Sequence, residues 1–240
     1  MNIEQIVKEV KAAQAAGKID FVDGQMVIST PADLTIGGYF NSSVMRHESV
    51  IRAIEEQDPE KEIWLRNQLF MTGAVYSDQN YVRMMEARDH NLIPDAGINA
   101  ILDILFRTAI SKVSNWYQGP IKSNVTPGSG WLSNWSGATG AAPGAELVPT
   151  TEYTVAARVE AVFGSAGSKK ITTSTPTRFT MAAGTSGITL YGSTLNSVST
   201  AAYNATDKIL AAATLFSTAK SGLGAGDKID IEYEISGASS

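Results

Sequence analysis

Residues 228–235 constrain the fold more tightly than any other segment, because Ile229, Ile231, Tyr233 and Ile235 alternate with Asp230, Glu232 and Glu234. An apolar period of two belongs to a β-strand with one face buried, and the opposite face reads as acidic and wetted by solvent. Such a strand needs partners. The sequence predicts them at 113–117, 153–163, 171–175, 178–181, 188–191 and 209–216, separated by turns rich in Gly, Pro, Asn and Ser. Seven short strands of this kind predict an antiparallel β-sandwich. Gly222-Leu223-Gly224-Ala225-Gly226 reads as the turn entering the last strand, since no helix and lysine follow it as a phosphate-cradling loop requires.

The N-terminal part has a different pattern, and the chain as a whole is read as α+β. Ile3, Ile6, Val7 and Val10 place a narrow apolar stripe on a helix otherwise covered by Glu4, Lys8, Glu9 and Lys11, a face suited to docking or oligomerisation. Residues 19–22 and 25–28 face each other across Asp23-Gly24, a dipeptide suited to a tight hairpin. Three helices are predicted next. The first spans 43–57, with Val44, His47, Ile51 and Ile54 on one face. The second starts at Asp58-Pro59-Glu60, with Asp58 as N-cap and an apolar surface of Ile63, Trp64, Leu65, Leu69 and Phe70. The third covers about 79–88. A further helix over 95–107 repeats Ile98, Ile101, Leu102 and Leu105 at three- and four-residue intervals, so that face should pack on the sheet. The composition shifts near residue 110 to Gly, Ser, Thr and Ala, and the expected division is a helical and hairpin region at 1–90 and a β-sandwich domain with one packed helix at 91–240.

Chemistry is constrained by what the 240 residues lack. There is no cysteine, which excludes disulfides, thiolate nucleophiles and sulfur-ligated metals. The two histidines, His47 and His90, are more readily read as packing or bridging groups than as an acid/base relay, and no metal or other cofactor is expected. Residues 1–121 carry 11 basic and 16 acidic side chains and residues 122–240 carry eight of each. No basic stripe for nucleic acid follows from that, and no segment has the run of about 20 apolar residues that spans a membrane. The start, Met1-Asn2-Ile3-Glu4, has no signal-peptide pattern, so a soluble protein made in the cytoplasm is expected. Glu152 and Glu160, read as one strand, are too far apart for paired-carboxylate catalysis, and Asp230, Glu232 and Glu234 read as a solvated sheet face. No catalytic residue is assigned.

Four tryptophans remain. Trp116 beside Tyr117 reads as core packing. Trp131 and Trp135 fall in the Gly-rich connection from Pro120 to Pro149, where large aromatics either anchor the loop onto its own domain or meet a neighbouring protein.

From about residue 91 the chain resembles a family of small tailed-phage virion proteins described as capsid decoration, cement or fibre-like proteins. The resemblance rests on Asn91-Leu92-Ile93, Ala96-Gly97-Ile98, Leu102-Asp103-Ile104-Leu105-Phe106 and Trp116-Tyr117-Gln118-Gly119, then Thr151-Glu152-Tyr153-Thr154 with Arg158. Arg178-Phe179-Thr180-Met181, Ala213-Thr214-Leu215-Phe216-Ser217 and Gly226-Asp227-Lys228-Ile229 complete it in the same order. It implies a compact β-rich domain without catalytic residues that binds to an assembled shell. The leading expectation is therefore a capsid decoration protein docked on the major capsid protein at the capsid surface, and self-associated as a dimer or trimer through helices or edge strands of the N-terminal region. The connection after Pro120 is longer than the family pattern, and residues 1–90 have no counterpart in it. A tail-fibre, neck or adaptor module that binds a host surface glycan, through Trp131 and Trp135, or another virion protein is the alternative, and a polysaccharide-degrading enzyme comes third.

Overall fold

The computed structural model describes residues 20–22, 25–27, 35–93, 95–103, 113–128, 135–138, 142–202 and 209–238. The predicted helix bearing Ile3, Ile6, Val7 and Val10 lies outside these residues, as does Trp131. The chain divides into two compact units, 1–36 with 237–240, and 37–236.

In the first unit, β1 (Asp20–Val22) and β2 (Gln25–Val27) pair antiparallel with Val22 opposite Gln25, and the tight turn expected at Asp23-Gly24 lies outside the described residues. The second unit is mostly antiparallel sheet with few helices. One sheet has the order β10 (Thr177–Thr180), β13 (Lys228–Ala238), β3 (Thr35–His47), β4 (Tyr81–His90), and β9 (Lys170–Thr172) also pairs with β13. The other has the order β12 (Leu210–Leu223), β11 (Ile188–Asn196), β5 (Tyr117–Ile121), β8 (Val159–Glu160). A short parallel pair, β6 (Ser136–Gly137) and β7 (Gly144–Ala145), lies in the long connection. Phe40, Val44, Phe179, Ile229, Ile231 and Tyr233 from the first sheet and Leu190, Leu195, Ala212, Phe216 and Leu223 from the second form one buried cluster. The alternation of residues 228–235 therefore does what its period implies on the apolar side. Strand pairing also runs across residue 90, since β3 joins β13 to β4.

Several expected elements differ. The predicted helix at 43–57 is a strand as far as His47; only α1 (Glu48–Glu55) is helical. Phe40 and Val44 are core residues on β3, and His47, whose ring lies 3.3 Å from the Ser49 amide, caps the helix that follows. Residues 79–88 form β4 rather than a helix. A bulge between Ser42 and Val44 of the partner strand, with Met85 at φ 52, breaks the period of two that would have revealed it.

Of the helix expected at 95–107, α3 (Asp95–Leu102) is observed, and residues 104–107 lie outside the described residues. Ile98, expected to face the sheet, is exposed, while Gly97 and Ala100 are buried. A Cβ at Gly97 would come 2.7 Å from the carbonyl oxygen of Ala211, so glycine is what permits the approach of α3 to β12. The strand expected at 113–117 starts at Tyr117. The one expected at 153–163 is reduced to β8, with isolated bridges at Tyr153 and Phe163, so Glu152 and Glu160 do not share a strand. Among the described residues no helix is long and apolar enough to cross a membrane.

Candidate functional site

Of the acidic side of β13 only Glu232 keeps contact with solvent, half-buried on an open trough. Asp230 and Glu234 are buried, because long cations from neighbouring strands fold over them. Arg178 donates to Asp230 from Nε at 2.7 Å and Nη2 at 2.8 Å, a bidentate fork, and Lys170 and Arg88 reach Glu234 at 3.1 and 3.3 Å. Arg178 also donates to Asp78 at 2.6 and 2.7 Å, and Lys228 meets the same carboxylate at 2.7 Å. These bonds hold the Asp78 carboxyl at about 2, below the usual carboxylate range. Beside this network runs an open trough of about 410 Å³ lined by Asn41, Ser43, Arg83, Arg88, Asp230 and Glu232. Among the described residues no three His, Asp or Glu side chains are grouped as a metal cage would need.

Glu152 and Glu160, the other carboxylates weighed for catalysis, are respectively engaged and isolated, and a further buried acid, Glu146, is paired. Glu146 and Arg158 form a fully buried bidentate pair at 2.8 and 2.9 Å, and Glu152 accepts from Lys122 at 2.7 Å and from the Val148 amide at 2.6 Å. Glu160 is exposed on β8. Such pairs lock strands and loops together.

Trp135, one of the two loop tryptophans, is 3 % exposed and packs with Ile121, Leu210 and Ala213. Its ring fills the space over Gly144, where an added Cβ would meet ring carbon at 2.3 Å. Of the two roles open to it, anchoring the connection onto its own domain is the one observed, and its side chain is not a free interface residue. Trp116 is half-buried against the main cluster, as expected.

The apolar surface left open lies elsewhere. Helix α2 (Pro59–Met71) begins as its sequence dictates: Asp58 accepts from the Lys61 amide at 2.9 Å and Pro59 occupies the first turn. Its inner side carries Leu65, Leu69 and Phe70, which pack with Val50 of α1 and Val75 of a 3-10 turn at Ala74–Tyr76. Arg66 bolts this side to the turn between β12 and β13, donating to the Ala225 carbonyl at 2.9 Å and pairing with Asp227 at 3.1 Å and Glu62 at 2.8 Å. Arg46 of β3 closes on Asp227 from Nε at 3.0 Å and Nη2 at 2.9 Å. The outer side of α2 is uncovered: Ile63, Trp64 and Met71 are 61, 59 and 80 % exposed, and Tyr76 in the following turn is 80 % exposed. Ile63 and Met71 are eight residues apart and Trp64 and Met71 seven apart, so the three share one face.

The sequence shows this face only as part of one broad apolar surface, without dividing its buried from its exposed half. Ile63, Trp64, Leu65, Leu69 and Phe70 wrap too far round a helix for one core to cover, and the structure buries the Leu65, Leu69 side and leaves the other bare.

No protein-family model matches the chain, and no curated protein is similar to it in sequence.

Proposed function

We propose that the chain is a non-enzymatic structural protein of a tailed-phage virion, a β-sandwich that decorates or cements the capsid by binding the major capsid protein. The observation that carries this reading is the uncovered row of Ile63, Trp64 and Met71 on a helix that is otherwise fixed rigidly to its domain. Large apolar side chains held in this way are suited to partner contact, and Trp is the residue type most often found to dominate such contacts. The order of motifs from residue 91 points to a shell as that partner, and the ion-paired carboxylates suit a durable scaffold more than turnover of a substrate. Repetition on a symmetric lattice lets each single contact be modest.

The test is co-sedimentation of the purified chain with shells assembled from the major capsid protein encoded with it. Saturable pelleting at micromolar chain is the expected result, and a chain that stays in the supernatant refutes the reading. A tail-fibre or adaptor module that binds a surface glycan would instead be retained by host cells, which a cement protein should ignore.

A further inference from the structure

Resting on that reading, we infer that the outer face of α2 is the docking surface and that its occupant is a different protein, presenting an apolar pocket rimmed by Lys or Arg, rather than a second copy of this chain. The charge around the face decides between them. Residues 48–76 carry six acids (Glu48, Glu55, Glu56, Asp58, Glu60, Glu62) and three bases (Arg52, Lys61, Arg66), a balance of −3. Arg66 is held in the buried cluster with Glu62 and Asp227, while Arg52 and Lys61 each stand beside an acid at the surface, Glu48 and Glu56, and leave the net charge negative. Glu55 and Glu60 are exposed. Glu60 stands three and four residues before Ile63 and Trp64, so it borders the apolar face directly.

A two-fold pairing of the face with itself gives these acids no counter-charge in either direction. Parallel helices would set acid against acid. Antiparallel helices would set Glu60 against the far end of α2, whose last turn carries no basic residue. Desolvating an unpaired carboxylate is costly, so self-association through this face is disfavoured and a basic rim on the partner is favoured.

The experiment uses the full chain in five forms: wild type, Trp64→Glu, Met71→Glu, Glu60→Lys, and Val162→Glu as a control at an exposed valine in another part of the fold. Sedimentation velocity of each alone reads self-association, and co-sedimentation with shells of the major capsid protein reads docking. The expected result is a wild type that does not associate through this face, with binding to shells weakened about 30-fold by Trp64→Glu. Met71→Glu should act in the same direction, and Val162→Glu should bind as wild type does. Glu60→Lys should also weaken binding, and wild-type binding should fall as salt rises from about 0.05 to 0.5 M. Undiminished pelleting of both Trp64→Glu and Met71→Glu overturns the inference while leaving shell binding intact. So does wild-type self-association that Trp64→Glu abolishes, because the occupant would then be a second copy. A wild type that does not pellet overturns the functional reading itself, and the inference with it.

Discussion

Asp227→Asn tests whether the buried ion cluster is what holds α2 against the sheet. Asp227 lies in the turn between β12 and β13 and accepts from Arg46 Nε and Nη2 at 3.0 and 2.9 Å and from the Gly224 amide at 3.0 Å, with Arg66 at 3.1 Å. Asparagine keeps the shape and removes the charge. Arg66 retains Glu62, but Arg46 loses its carboxylate and one leg of the fork, keeping the Gly222 carbonyl and the single amide oxygen of asparagine, while the new NH2 faces donors. Stranding one partner of a buried pair costs about 3–5 kcal/mol, a large part of the stability of an ordinary domain. With a urea dependence of about 2–3 kcal/mol per molar, the denaturation midpoint should fall by about 1–2 M. Amides of α2 should exchange faster, since its inner side is anchored there. Removing Arg46 as well, in Arg46→Met with Asp227→Asn, should recover at least about 1 kcal/mol relative to the sum of the single changes. A midpoint shift below about 0.3 M, or strict additivity in the double variant, refutes the assignment.

Other outcomes follow from single sites. The Asp78 carboxyl is held at about 2, so its contribution is present above the ordinary carboxylate value and is lost as pH falls towards 2; Asp78→Asn should flatten that acid limb of the stability-against-pH curve. Gly144→Ala should cost about 1–3 kcal/mol, read by thermal unfolding and by a change in tryptophan fluorescence, because its Cβ meets the Trp135 ring. Lys220 is almost fully buried, with its ammonium over the Phe216 ring, and burial lowers its pKa against the opposing pull of Asp89. Its charged form is thus disfavoured in the fold, and Lys220→Met should raise the unfolding temperature at neutral pH, with the gain shrinking as pH rises towards the ordinary lysine value. Trp64→Ala should leave stability within about 0.5 kcal/mol of wild type by urea unfolding, since the side chain is mostly in solvent.

Residues 228–235 announced the sheet because nothing interrupts their period, and Asp58-Pro59 announced α2 because capping is local chemistry. Residues 43–47 and 79–88 look helical in the sequence because the spacing of Val44, His47 and Ile51 fits a helix as well as a strand-to-helix junction, and because the bulge at Met85 hides the alternation of β4. The acids of β13 look solvated in the sequence because the cover over Asp230 and Glu234 comes from Arg178, Lys170 and Arg88, which are distant in sequence; a charge pattern along one strand carries no information about the cations beside it. The same limit applies to the candidate site. The five apolar residues of α2 showed a surface too wide for one core, but which half would be buried depends on Val50, Val75 and the turn that Arg66 reaches.

The most direct measurement is a cryo-electron microscopy map of the purified virion at a resolution that shows secondary structure. Density for residues 37–236 is expected at regular positions on the outside of the shell, with Pro59–Met71 against the major capsid protein and Trp64 in the contact. Density confined to the tail or neck, or a shell-bound domain whose Trp64 faces solvent, would contradict this placement.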